Sequence, residues 1–170
     1  YVYDIWYGSS VITNGVEIES FFDFEGVSKG VIPYDVTIDG ADGIYGDSDK
    51  LDFEHNVVAF KKGTGYIITK VYPKAVTHLD VYFAKNGTDN NAITEPRLVI
   101  YGSSDNGQSW VQIEAYTAAD LSKTEIRTYD FDSSLNYTRF KFEYQKLDIN
   151  VGISAISATY AGAGAKVFAQ

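Results

Sequence analysis

Three groups of residues in this chain carry types and spacings that could do chemistry. The first is an acidic loop, DGADGIYGDSD, which places Asp39, Asp42, Asp47 and Asp49 on a Gly-rich stretch. Hard carboxylate oxygens on a flexible loop are what calcium takes, in sets of six to eight. The spacing departs from D-x-[DN]-x-[DN]-G-x5-E, so this is not an EF-hand loop. A solvated acidic loop is the competing reading. The second group is the pair of histidines, His55 and His78. Neither adjoins a G-x-S-x-G elbow or another nucleophile motif. Glycosidic chemistry needs two carboxylates facing across a cleft, and 23 acidic residues supply pairs without singling one out. No enzyme is expected. The third group is aromatic. Tyr34, Tyr45, Tyr116 and Tyr137 fall in or beside connections, where an exposed ring could stack on a sugar while acids and amides bond its hydroxyls. The alternative is that each tyrosine seals a loop against the core.

The elements that must position these residues are strands. Arg139-Phe140-Lys141-Phe142-Glu143-Tyr144 alternates charged with aromatic side chains. That period of two puts one face in a core and the other in water. Similar segments run from Val16 to Phe24, Leu51 to Glu54, Tyr66 to Tyr72, Leu79 to Phe83, Arg97 to Tyr101, Val111 to Tyr116, Thr124 to Phe131 and Val151 to Tyr160. Gly- and Asn-rich turn clusters separate them. One helical turn is expected, at Thr117 to Leu121, with Thr117 as N-cap and Asp120 closing a capping box. About nine to eleven strands with almost no helix predict an all-β fold, an antiparallel β-sandwich of jelly-roll type.

The 170 residues suit one domain, residues 11–160, flanked by a strand-prone extension at 1–10 and a small-residue tail at 161–170. A compact chain of this length buries roughly 70% of its extended surface, enough to fold without staples. Cysteine is absent, which excludes disulfides, zinc–thiolate sites and thiol nucleophiles. The formal charge of -9 argues against nucleic acid and anionic membranes as partners. No apolar run is long enough to insert in a bilayer. The opening at Tyr1 reads as a mature or excised segment. Asn86-Gly87-Thr88 and Asn136-Tyr137-Thr138 match N-x-[ST], which makes Asn86 and Asn136 candidate glycosylation sites.

One hairpin has a motif of its own. Ser103-Ser104-Asp105-Asn106-Gly107-Gln108-Ser109-Trp110 resembles the Asp-box of sialidase-type propellers. Asp105 can bond the N–H groups of its own turn, Gly107 can take positive φ, and Trp110 can pack back across the hairpin. A propeller needs several copies, and this chain has one. Phe22-Asp23-Phe24-Glu25-Gly26, this hairpin, and the closing run from Leu147 to Ile156 occur in an order that resembles jelly-roll accessory modules of secreted bacterial proteins. Those modules are architectural relatives of carbohydrate-binding modules and galactose-binding-like domains. The resemblance spans about Ile18 to Tyr160. It implies a non-catalytic module, extracellular or at a cell surface, whose partner is carbohydrate or another protein surface. It also implies a structural calcium held with an early Glu, matched here by Glu25. Ser154 stands where many such modules carry an Asp, which removes one anionic ligand. No cofactor is required. Two other readings remain open at this point: a subunit of a surface filament, pilus or layer that self-assembles through Tyr1 to Tyr7 by strand complementation, and a phage or capsid attachment domain.

Overall fold

A computed structural model describes residues 9–13, 17–24, 37–39, 41–45, 57–60, 63–86, 97–117, 120, 124–146 and 150–162. Twelve strands are found among them: β1 (Ser9–Thr13), β2 (Glu17–Phe22), β3 (Thr37–Asp39), β4 (Ala41–Tyr45), β5 (Val57–Phe60), β6 (Gly63–Ile68), β7 (Val76–Asn86), β8 (Leu98–Ser103), β9 (Val111–Tyr116), β10 (Thr124–Asp130), β11 (Arg139–Lys146) and β12 (Asn150–Ala161). This is one more than the upper end of the expected range, and the short strands β3 and β4 at the Gly-rich acidic stretch are among those not expected. Every pairing is antiparallel.

Two sheets form. One has seven strands built on β12, which pairs β7 along one side and β2 and β5 along the other, with β1, β4 and β10 outside them. The second has five strands in the order β3-β6-β11-β8-β9. The order β2-β12-β7-β10 in one sheet and β6-β11-β8-β9 in the other is jelly-roll topology. From β6 onward the chain changes sheet at each step except the β8–β9 hairpin. The sandwich expected from the alternation is present.

Alternation explains which residues sit between the sheets. Leu98 and Ile100 of β8, Phe140, Phe142 and Tyr144 of β11 and Ile67 of β6 face Phe22, Leu79, Val81, Phe83, Ile153 and Ile156 of the other sheet in one buried cluster. Each fully buried Phe or Leu contributes about 1.5–3 kcal/mol of transfer free energy, so rows of this kind fix the register. β12 departs from the pattern. Val151 to Ala158 are all buried, with Gly, Ser and Ala between the large side chains. Small residues let a central strand be covered on both faces. The register shifts between Ile153 and Ala155, so Ser154 is the extra residue of a bulge.

Boundaries moved at both ends of the expected domain. Ser9 and Ser10, placed in the extension by composition, begin β1 and pair with Phe22 and Phe21. Ala161 belongs to β12 rather than to the tail. The expected strand at Leu51 to Glu54 lies outside the described residues, and the nearby strand is β5. The Thr117 turn shows half of its expected box. The N–H of Thr117 donates to the Asp120 carboxylate (2.8 Å), and the Asp120 N–H donates to the Thr117 carbonyl (3.1 Å). The Thr117 hydroxyl also donates to that carboxylate (3.0 Å), in place of accepting from the backbone. A second short turn, a 3-10 helix at Ser133–Leu135, was not expected. Asp132 caps its start by accepting from the Ser134 N–H (2.9 Å), and Asn136 ends it at φ 55°.

Candidate binding face

The outer face of the five-stranded sheet carries an aromatic platform around one cation. Antiparallel register sets it up. Lys141 of β11 lies opposite Tyr101 of β8 and Ile68 of β6, while Glu143 lies opposite Tyr66 and Val99. Since Phe140 and Phe142 must point inward, Lys141 and Glu143 must point out. The Lys141 ammonium then stands 5.3 Å from the Tyr66 ring centroid, 5.5 Å from that of Tyr101 and 5.8 Å from that of Trp110. All three fall within the range in which a ring quadrupole attracts a cation. Glu143 accepts an ion pair from the same ammonium at 3.3 Å. Lys141 is 20% exposed and Glu143 32%, so rings and sheet take up most of their surface. Burial first, and the nearby Glu143 charge second, raise the Tyr101 phenol above its ordinary value.

The β8–β9 hairpin aims Trp110 at this face. Ser103 and Asp105 build the turn between them. The Ser103 hydroxyl donates to Asp105 Oδ1 (2.6 Å) and accepts from the Gly107 N–H (2.8 Å). Asp105 also accepts from the Ser109 N–H (2.8 Å) and the Ser109 hydroxyl (2.5 Å). These bonds, that of Ser103 foremost, hold the exposed Asp105 carboxyl down to about 2. Gly107 sits at φ 96°, as a tight reversal requires, and a side chain there would press on Arg139 and Trp110. Arg139 locks the turn to the body, donating from Nε to the Thr69 carbonyl (2.8 Å) and from Nη1 to the Asn106 carbonyl (3.2 Å). The local roles expected for Asp105 and Gly107 are found, and the Trp110 ring reaches the Lys141 ammonium of β11.

The tyrosines expected to stack on a ligand do not form a set. Tyr116 and Tyr137 are corrections: they are 6% and 8% exposed and belong to the core cluster. Tyr116 ends β9 opposite Leu98, and its hydroxyl pairs with that of Tyr129 (2.5 Å) beneath the Arg127 guanidinium, 4.6 Å above the ring. Tyr137 packs edge-on to Phe131 and lies against Gly102, where a Cβ would come within 3.0 Å of its ring. Both rings seal the sandwich and offer no free face. Tyr45 is the last residue of β4, with its side chain outside the described part, and Tyr34 lies outside the described residues. Of the acidic loop, Asp39 ends β3 in register with Tyr66 and Asp42 lies in β4, while Asp47 and Asp49 are outside. Among the described residues no group of three or more His, Asp or Glu side chains is arranged to hold a metal. Ser154 is fully buried, and its hydroxyl has no partner among the described residues. Glu25, His55 and Tyr1 to Tyr7 lie outside them. Asn86 ends β7, and Asn136 is exposed.

What the sequence reading missed was Tyr66, Tyr101 and Lys141 as a cluster. The signal was present: each occupies an outward position of an alternating strand, and the chain is rich in Tyr. Attention to loops passed over it.

The second histidine faces away from this platform. On the seven-stranded sheet His78 bridges Asp130 of β10 (Nδ1, 2.7 Å) and Asp80 of its own strand (Nε2, 2.9 Å). The Asp130 bond is the main reason its pKa is raised. With no nucleophile among its partners this is an ion-pair cluster that ties β10 to β7.

With the geometry in place, the chain can be set beside known structures. The cleaved adhesin domain K2 of Lys-gingipain superposes with a TM-score of 0.58 at 17% identity, over 84% of this chain and 99% of that one. The likeness is one of fold. A family 29 carbohydrate-binding module variant complexed with cellulohexaose matches at a TM-score of 0.48 and 14% identity, over 83% of this chain and 91% of the other. No family model matches the chain, and no curated protein matches it at a significant level. Among the described residues no helix is long and apolar enough to cross a membrane.

Proposed function

We propose that this chain is a non-catalytic binding module that holds carbohydrate on the outer face of its five-stranded sheet and works outside the cell or at its surface. The single observation that carries the reading is the convergence of Tyr66, Tyr101 and Trp110 within 6 Å of the Lys141 ammonium. Pyranose rings present C–H faces that stack on aromatic rings and hydroxyl rims that bond charged and amide groups. Here rings supply the first, and Lys141, Glu143 and Gln112, opposite Tyr101, supply the second. Strands hold all of them but Trp110, which the hydrogen-bonded β8–β9 turn positions, so little ordering entropy is lost on binding.

The jelly-roll fold, shared with an adhesin domain, supports this reading. So does the resemblance to secreted accessory modules. Tyr34 and Tyr45 are proposed as additional contacts, and the carboxylates of Asp39, Asp42, Asp47 and Asp49 as a calcium site. Asn86 and Asn136 are proposed glycan acceptors. The deciding experiment is a glycan array probed with the wild-type chain and with Trp110→Ala and Tyr101→Ala. Binding that both substitutions abolish, with unchanged far-ultraviolet circular dichroism, is the expected result. An array that stays dark for the folded wild type overturns the proposal.

A further inference from the structure

We infer that the ligand of this face is a neutral glycan, and that Lys141 serves as a shielded wedge between the rings rather than as a receptor for acidic sugars. This deepens the carbohydrate-binding reading and rests on it. Lys141 is the cation on the platform, and its ammonium is already engaged: three rings surround it and Glu143 lies 3.3 Å away. A uronate or sulfate arriving there would meet the Glu143 carboxylate beside the ammonium it seeks. Arg139, further along β11, is committed to the Thr69 and Asn106 carbonyls. Around the pair, the outward positions Thr64, Ile68, Val99, Gln112 and Gln145 are uncharged, Asp39 of β3 lies opposite Tyr66, and the next cation, Arg97, lies a row away opposite Gln145. The chain as a whole carries -9, which repels polyanions at long range. Stacking and hydroxyl hydrogen bonds survive all of this; recognition of an anion does not.

The experiment is affinity electrophoresis and calorimetry of the whole chain. The neutral probes are hydroxyethylcellulose, galactomannan and xylan; the acidic ones are polygalacturonate and alginate. A neutral polymer should bind at least about tenfold more tightly than either acidic one, and its affinity should change by less than about twofold as salt is raised through the screening range. In Glu143→Gln the freed ammonium should strengthen binding to polygalacturonate by about two- to fivefold. Tighter binding of wild type to an acidic polymer, falling steeply with salt, would overturn this inference and leave the carbohydrate module standing. Failure of Glu143→Gln to gain affinity would remove the shielding role assigned to Glu143. If the folded chain binds none of the five polymers and stays dark on the array, both readings fall together.

Discussion

Lys141 and Tyr101 stand opposite each other on neighbouring antiparallel strands, ammonium 5.5 Å from ring centroid, on the face that water reaches. The relationship is forced from beneath. Phe140 and Phe142 flank Lys141 along β11, and Ile100 precedes Tyr101 along β8; all three are fully buried. A one-residue slip would exchange the two sets, burying a charge and exposing three large apolar side chains. The core therefore sets the platform, and the platform can be probed without disturbing the core.

Trp110→Ala removes a half-buried ring that stands beside Lys141 on the outer face. Glycan affinity should fall by about tenfold or more, since one lost stacking partner is worth about 0.5–1.5 kcal/mol beyond its buried area. Thermal stability should move little. Tyr137→Ala should behave in the opposite way, destabilising by about 3–5 kcal/mol as large-to-small core substitutions do. Denaturant unfolding alongside binding isotherms separates the two.

Gly102→Ala should destabilise by about 1–3 kcal/mol, the usual cost of overpacking a filled core. An added Cβ would sit 3.0 Å from both Ile113 Cδ1 and the Tyr137 ring, which lie on opposite sides of the strand's path. Urea midpoints measure it. A midpoint equal to wild type would show that Tyr137 can step aside.

Asp105 sets an acid limit for the hairpin. Its folded pKa, about 2, lies below its ordinary value of 3.8, so ionised Asp105 favours the folded state. That contribution is fully present above 3.8 and is lost as pH falls toward 2. Melting temperatures of wild type and Asp105→Ala should differ at neutral pH and converge through that window. A constant offset down to the lowest pH would contradict the hydrogen-bonded turn.

His78 works with the opposite sign. Its two ring nitrogens each face a carboxylate oxygen, which accepts, so only the protonated ring can donate to both at once. The folded pKa is raised, chiefly by the Asp130 bond. The stabilisation is complete below the ordinary histidine value and disappears as pH rises through the raised one. His78→Gln should therefore cost stability in mild acid and nothing in mild alkali. NMR titration of the ring protons gives the pKa directly.

Much of this molecule could be read from one-dimensional pattern. Strict alternation at Arg139 to Tyr144 determined a strand, its inner face and its outer face, because side chains in a strand point to opposite sides by turns. The turn chemistry of Asp105, Asn106 and Gly107 determined a hairpin, because those residues bond locally or take positive φ cheaply. Contacts between strands distant in sequence were not legible. Tyr66, Tyr101 and Lys141 meet because β11 lies between β6 and β8, an adjacency that depends on how the whole sandwich closes. Burial was also beyond local reach: Tyr116 and Tyr137 stand beside connections, yet both rings turn inward because the gaps beside Gly102 and below Arg127 need filling. Local spacing decides what a strand exposes; only the packing of two sheets decides which exposed residues become neighbours.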